Sequence, residues 1–460
     1  MSYPRKELSG WGRYPVTVSE VVPANSKATM ADAMASAMAG TTARKSLIAR
    51  GYGRSYGDSA LADRVLDMRC RDRMLAFDEN EGLLDCESGV LLSEIIETFL
   101  PHGWFPMVTP GTRYTTVGGA IAADVHGKNH HQAGCFSESV IDLELMLPGG
   151  ETLLCSRTEN EELFRATCGG MGLTGLILRA RLRLQSVSSR TIRQTTVRTK
   201  DLEATFEAFR EYAAAPYSVA WVDCLARGRN LGRSLLMLGE FDDTRTEQYE
   251  NREEAAIPGQ GAGRKPFGSS LRIPRLFPGF LLNRFSVAAF NELYYRKVSA
   301  GISAQKVDLE PFFYPLDRLR DWNRIYGRQG FLQYQFILPL AQSEHGMREI
   351  LTEISHSGMG SFLAVLKLYG PANDNLLSFP LEGYSLALDF KRQRGLDGLL
   401  ERLDRLVVQY GGRIYLAKDA RMSRDVFESG YPGLETFRKL RNSLGLNRCL
   451  HSLQSLRLGL

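Results

Sequence analysis

Ala49-Arg50-Gly51-Tyr52-Gly53-Arg54-Ser55-Tyr56-Gly57-Asp58-Ser59 is the stretch on which the fold turns. Ser46 to Arg50 reads as a short apolar strand that runs into it. A strand ending in several glycines exposes consecutive backbone N–H groups, and glycine lets a phosphate come close to them. The stretch is neither a GxGxxG at the head of a helix nor a P-loop lysine motif. Taken alone it reads first as an ordinary glycine turn.

Two further clusters change that reading. Pro110-Gly111-Thr112 precedes a run from Thr116 to His131 (TVGGAIAADVHGKNHH) with small residues over more than half its length. Gly169 to Gly175 (GGMGLTG) repeats the theme. Small residues over so long a span leave room for something flat and large against the backbone.

Around these clusters the pattern alternates strands and helices. Leu91 to Leu100 reads as a helix with Leu92, Ile95, Ile96 and Phe99 on one face. Ile141 to Leu147 alternates apolar and acidic residues, as a half-buried strand does. It turns at Pro148-Gly149-Gly150 into Thr152 to Cys155. Thr158 and Glu161 have capping-box spacing ahead of a helix. Leu178, Ala180, Leu182 and Leu184 alternate with three arginines.

Beyond residue 190 the elements lengthen. Helices are predicted at Leu202 to Tyr212, Met347 to Ile354 and Leu396 to Tyr410, the last stopped by Gly411. Strands are predicted at Val219 to Leu225, Leu235 to Phe241, Phe331 to Leu338, Phe362 to Tyr369 and Tyr384 to Phe390. Residues 242–275 read as a mobile loop.

Composition sets outer bounds. The chain has 460 residues, 43% hydrophobic and 24% charged, with net charge +5. That length suggests two or three domains, and the weak positive charge does not point to nucleic acid. The seven cysteines are scattered without CxxC spacing, which fits a reducing compartment better than a disulfide framework. The N-terminal residues MSYPRKELSGWGRYP lack the apolar core of a secretory signal, and no run reaches the roughly 20 apolar residues of a spanning helix. A cytoplasmic protein is expected. Ile273 to Phe285 is apolar enough to touch a membrane surface.

Taken together, the three clusters resemble the vanillyl-alcohol-oxidase type of FAD-binding family. Within it, the chain resembles the oxidases that act on a polyprenyl-phosphate-linked ribose. The matching stretches are ARGYGRSYGDS (49–59), PGTRYTTVGGAIAADVHGKNHH (110–131), GGMGLTGLI (169–177), GFLQYQFILP (330–339), LKLYGP (366–371), SFPLEGY (378–384) and GGRIYLAKDAR (411–421). The resemblance implies an α+β fold: a two-segment FAD-binding domain (6–189 and 413–460) with an inserted antiparallel-sheet-plus-helices substrate domain (190–412).

The same resemblance implies site residues. Ala49 to Ser59 would hold the pyrophosphate. Gly111, Thr116, Val117, Gly118, Gly119, Ala123, Asp124, Val125 and His126 would line the flavin. Ile177 would meet the adenine side, and Tyr415 would approach from the C-terminal segment. Arg54 stands where covalently flavinylated relatives carry histidine. Arginine has no nucleophilic nitrogen at neutral pH, so non-covalent FAD is expected; a plain surface charge is the competing reading.

Lys418, His126, Tyr56 and Lys128 are the catalytic candidates by the same route. Lys418 would stabilise the anionic reduced flavin or accept the alcohol proton if burial lowered its pKa from about 10.4; the sequence leaves both roles open. Gln333 and Gln335 share a strand face, as do Lys367 and Tyr369. With Lys128, Trp221, Tyr314, Ser385 and Lys418 they form the expected substrate pocket. Ala387 replaces a cysteine of mycobacterial members, and Tyr384 and Ser385 also depart from them. Adjacent His130 and His131 are not expected to ligate a metal.

The activity so implied is oxidation of the 2-hydroxyl of a polyprenyl-phosphoryl pentose, with the hydroxyl proton taken by a base and hydride leaving its carbon, giving a 2-keto sugar. An NAD(P)H-dependent short-chain reductase would complete a 2′-epimerisation. The lipid would bring the enzyme peripherally to the inner membrane, and residues 242–285 would form a mobile entrance. Two rivals remain: an aldonolactone or alditol oxidase, and a non-catalytic flavin-binding interaction protein. The segment Tyr415-Leu416-Ala417-Lys418 lacks the histidine usual in the first.

Overall fold

The strand before the first glycine loop is Leu47–Arg50, and it pairs in parallel with Arg64–Asp67. Val16–Pro23 lies parallel on the other side of Arg64–Asp67, and Arg5–Ser9 closes this four-stranded sheet. These strands belong to a computed structural model that describes residues 3–39, 46–242, 271–274, 278–299 and 301–460. Most of the loop expected at 242–275 lies outside the described residues.

A second sheet follows the order Met74–Asp78, Leu83–Glu87, Leu176–Ser186, Val140–Met146, Thr152–Ser156, with Trp104–Pro106 joined to Leu176–Ser186. Its last two strands form the expected hairpin, turning where Gly150 takes φ +84°. Leu178, Ala180, Leu182 and Leu184 are buried, while the intervening arginines face outward. The capping-box reading at Thr158 is corrected. Glu161–Thr167 starts after Asn160, and the Thr158 hydroxyl lies 3.3 Å from that of Ser156. Ser156 Oγ accepts from the amides of Thr158 and Glu159, so a local turn displaces the cap.

Eight strands form the third sheet, in the order Ile302–Asp308, Thr191–Thr199, Ser234–Phe241, Tyr217–Val222, Ala364–Tyr369, Gly383–Lys391, Phe331–Pro339, Arg413–Ile414. Every neighbouring pair is antiparallel. The fold is thus α+β, as expected. The strand predicted to reach Leu225 stops at Val222 because Asp223 turns aside to accept from Arg233 and Asn291. The helix predicted at Met347 to Ile354 runs over Leu340–Ser357. Met347, Ile350, Leu351 and Ile354 are its buried stripe, and left-handed Gly358 ends it.

Period-two alternation gives this sheet two different faces. Leu332, Tyr334, Phe336 and Leu338 point to the side covered by Leu340–Ser357 and Leu396–Gln409. Phe331, Gln333, Gln335 and Ile337 point the other way. Tyr384 belongs to the helix side, packed edge-on against Phe206 and Phe209. It therefore does not shape the pocket, although its neighbour Ser385 faces the opposite side.

After Arg413–Ile414 the chain returns to the first sheet. His451 donates to Leu47 O at 2.9 Å and Leu47 to Cys449 O at 3.3 Å. The decisive junction is tighter. Tyr56 N donates to Ala417 O at 2.9 Å, and Arg457 bridges Asp58 at 2.9 Å and Asp419 at 2.8 Å. A Cβ at Gly57 would stand 1.9 Å from Asp419 O. Gly57→Ala should therefore lower the stability of the protein by at least about 2 kcal/mol, read as a lower urea midpoint; an unchanged midpoint would show that the junction yields.

Candidate active site

The three glycine clusters and the polar face of the third sheet enclose one cavity of about 920 Å³. That is the upper end of the size range for small-molecule and cofactor pockets.

One end is built from backbone. Gly51 to Ser55 all line the cavity. Among the described residues their five amides donate to no protein acceptor. Gly53 takes φ +65°, which turns successive N–H groups toward one side. Arg50 braces the loop from behind, donating to Ser9 O and Ala60 O. The guanidinium of Arg54 lies 4.2 Å from the Trp11 ring, and its buried Nε has no hydrogen-bond partner among the described residues. Unpaired donors at this density suit a pyrophosphate.

The adjoining wall is flat. Thr116 caps the turn by accepting from Gly119 N at 3.2 Å. Gly118 packs its backbone on Ser88, where a Cβ would come within 2.9 Å. Gly111, Gly119, Ala123, Val125, His126 and Ile177 also face the cavity, and Tyr415 closes it while donating to Ala123 O at 2.8 Å. The buried Ser88 Oγ and His126 Nδ1 have no partners. These residues fit FAD: a donor-lined end for two phosphates, then a smooth slot for a flat ring.

Six expected residues stand behind this wall. Gly57 and Asp58 belong to the junction described above, and Val117 is buried in the core. Asp124, at φ +39°, accepts from Ser137 N, Asn373 Nδ2, Asn375 Nδ2 and Ser378 Oγ, which ties the flavin loop to residues 373–378. Tyr314 shares a 2.7 Å hydrogen bond with Thr109. The Tyr369 hydroxyl accepts from Gln335 at 3.2 Å.

The sheet wall carries the polar groups. Gln333, Gln335, Lys367, Ser385, Ala387 and Trp221 all face the cavity. Gln335 Nε2 lies 3.0 Å from His126 Nε2. Burial, then Lys367, holds His126 well below the ordinary histidine range. The ring is neutral, with its Nε2 lone pair already taken by the amide, so it positions Gln335 and is not free as a base.

Lys418 stands 3.8 Å from the centre of the Tyr56 ring, and its Nζ donates no hydrogen bond within the described residues. Burial brings Lys418 down to about 7, opposed by Asp389 and helped by Lys367. Lys128 also falls to about 7 by burial and then by Lys367; it donates to Phe312 O. Lys367 falls to about 8 by burial.

Asp389 was not expected. It sits behind the wall, accepting from Gln333 Nε2 at 2.5 Å and from Tyr326 at 3.3 Å. Burial raises it to about 7, against Gln333 and Lys418. Its only sequence signal was its place two residues beyond Ala387 on the same strand face. The remaining lining is mostly apolar and aromatic, including Met237, Leu282, Phe290, Leu316 and Phe362, with Asp317, Thr109, Thr112, Thr115 and Ser286 among its polar members. His130 and His131 point to different partners, Gly370 N and Ala215 O. Among the described residues no group of three or more His, Cys, Asp or Glu is placed to hold a metal ion.

Similarity to known proteins matches this geometry. The family model of an FAD binding domain matches residues 19–156. A decaprenylphosphoryl-β-D-ribose oxidase of Mycolicibacterium smegmatis is 37% identical over 448 residues, covering 95% of this chain and 94% of the relative. A Streptomyces coelicolor protein described as an uncharacterised protein in the mprA 5′ region is 31% identical over 375 residues, covering 81% of this chain and all of that relative. Cytokinin dehydrogenase 5 of Arabidopsis thaliana is 32% identical over 149 residues, only 31% of this chain and 27% of the relative.

The buried lysine has a measurable cost. Between about pH 7 and 10.5 the unfolded chain holds a proton on Lys418 that the folded chain releases. Stability therefore rises with pH across that window, and the penalty is full at and below pH 7. Lys418→Met should stabilise the apoprotein at pH 7 by about 1–3 kcal/mol, discounted from about 1.4 per pKa unit. The gain should fade toward pH 10.5; a pH-independent gain in chemical unfolding would contradict the buried neutral amine.

Proposed function

Because the chain belongs to the family of decaprenylphosphoryl-β-D-ribose oxidase, we propose that it is an FAD-dependent oxidoreductase that oxidises the 2-hydroxyl of a polyprenyl-phosphate-linked pentose to a ketone. What carries the reading is one cavity that joins five amides and an amine, none donating a hydrogen bond among the described residues, with an apolar stretch beyond. FAD bound there supplies a two-electron acceptor for the hydride that leaves the sugar carbon.

The chain's own groups do the rest. Lys418 near pH 7 is neutral in a large fraction of molecules, so its lone pair takes the hydroxyl proton. Once protonated, Lys418 is a cation that would offset negative charge gained by the bound flavin, and charge in a dry cavity counts for more than in water. Tyr56 holds the amine in place through its ring face. Asp389 keeps Lys418 from falling further in pKa and turns Gln333 so that the amide oxygen is left for the sugar. Gln335, braced by His126, Tyr369 and Ser385, presents a second fixed amide. Lys128 and Lys367 meet the phosphate, and Trp221 and the aromatic lining exclude water.

FAD is held without a covalent bond in this reading. Arg54 supplies no nucleophile, and His126, the one histidine among the lining residues, is engaged with Gln335. The division into 6–189, 190–412 and 413–460 is supported by two sheets drawn from residues 5–186 and a third drawn mainly from residues 191–391, with Arg413–Ile414 of the last segment as its edge strand and Tyr415 completing the cofactor slot. The product is a 2-keto sugar, so a separate NAD(P)H-dependent reductase of the short-chain type must follow if the outcome is an epimer. The polyprenyl tail brings the enzyme to the cytoplasmic surface of the inner membrane.

Anaerobic mixing with a synthetic polyprenyl-phosphoryl ribose should bleach the flavin. Lys418→Ala should slow bleaching by at least about 100-fold. The wild-type rate should rise with pH through about 7 and level off, because the neutral amine is the reactive form; the variant should lose that limb. Full-speed bleaching in the variant would remove Lys418 from the chemistry. A yellow spectrum unchanged by the ribose donor would reject the substrate. Acid denaturation should leave the flavin in the supernatant, and a yellow pellet would reject non-covalent binding.

A further inference from the structure

The helix Arg284–Arg296 has apolar residues on both sides. Its inner side, with Ser286, Val287, Phe290 and Tyr294, lines the cavity. Its outer side carries Phe285 and Leu293, exposed at 71% and 72%, with Ala288 and Ala289 between them. Of fifteen exposed large apolar residues among the described residues, five lie between Leu281 and Ile302. Scattered apolar residues need no explanation, but a cluster does.

Charge frames this cluster. Arg284 opens the helix, and Arg296 and Lys297 close it. Its one carboxylate, Glu292, is held by Arg233 and Arg296. A helix with large apolar residues on its outer side and basic residues at its ends has the character of one lying in the plane of a membrane interface. Exposed Leu281 and Phe290 also line the cavity, so the cavity reaches the surface beside the same patch.

We propose that the outer face of the helix Arg284–Arg296 docks on an anionic phospholipid bilayer, with Phe285 and Leu293 in the headgroup region and Arg284, Arg296 and Lys297 on lipid phosphates. A polyprenyl chain leaving the cavity past Leu281 and Phe290 then enters the bilayer without crossing water. The choice of a bilayer over a protein partner rests on the polyprenyl-phosphate reading of the cavity.

The test is flotation of the holoenzyme with vesicles of phosphatidylcholine and phosphatidylglycerol, against vesicles of phosphatidylcholine alone. Wild type should float with the anionic vesicles and bind the neutral ones more weakly. Phe285→Ser/Leu293→Ser should lose at least about tenfold in partitioning, with flavin content and bleaching by a short-chain soluble substrate unchanged. Leu293→Trp should bind more tightly, which keeps the proposal testable if the double variant fails to fold. Failure of wild type to float, or equal flotation of the double variant, would overturn the proposal. So would a wild-type dimer in solution that the double variant breaks while vesicles bind neither, since the face would then join two copies. Flotation that depends on Phe285 and Leu293, in a protein whose flavin no ribose donor bleaches, would uphold the docking face and reject the substrate.

Discussion

Lys418 stands over Tyr56 because two backbones far apart in the chain touch with nothing between them. Tyr56 N reaches Ala417 O, and Gly57 leaves no room for a side chain beside Asp419. Arg457 then locks the contact from behind through Asp58 and Asp419. This arrangement fixes both ends of the candidate site at once. The phosphate-type loop is one strand of the contact, and the lysine is on the other. Any loosening there would separate the loop from Lys418, even though neither Gly57 nor Arg457 faces the cavity.

The cavity's chemistry follows from burying three lysines with few carboxylates beside them. Lys128, Lys367 and Lys418 are all driven toward neutrality by burial, and Lys367 depresses the other two further. Asp389 is the one carboxylate that opposes this at Lys418, and burial holds it near 7 as well. Such a set is poised: an anion entering the cavity favours protonation of the lysines, so phosphate binding and proton uptake are coupled. The same field keeps His126 neutral, which is what lets it serve as a fixed acceptor for Gln335.

Much of this was legible in the residues because it rests on local rules. Glycine spacing marked the three loops, and period-two alternation placed Gln333 with Gln335 and Lys367 with Tyr369. Alternation also says that Tyr384 and Ser385 cannot share a face, but not which of them meets the cavity; that depends on which side the helices cover. Tyr369 shows a further limit, since it shares Lys367's face yet ends behind Gln335. Asp389 was hidden because a lone aspartate on an apolar strand looks the same whether it is exposed at an edge or sealed beneath a glutamine. The helix Lys27–Met38 was missed for another reason: its alanines and methionines give no strong polar face, so packing and the Ser26 cap define it more than periodicity does.

Ala387 bears on what the sheet wall offers to a ligand. It lies on the cavity side of its strand between Ser385 and Asp389, and no cysteine is among the residues that line the cavity. A methyl group there brings no polar atom to the wall beside the amides of Gln333 and Gln335. It also leaves the cavity without a soft nucleophile, because Cys135, the cysteine hydrogen-bonded near His130 and Ser378, is buried with its thiol pushed well above the ordinary range. Position 387 therefore acts on pocket shape alone: its side chain adds neither charge nor hydrogen bond to a wall whose polar groups are Gln333, Gln335, Lys367 and Ser385.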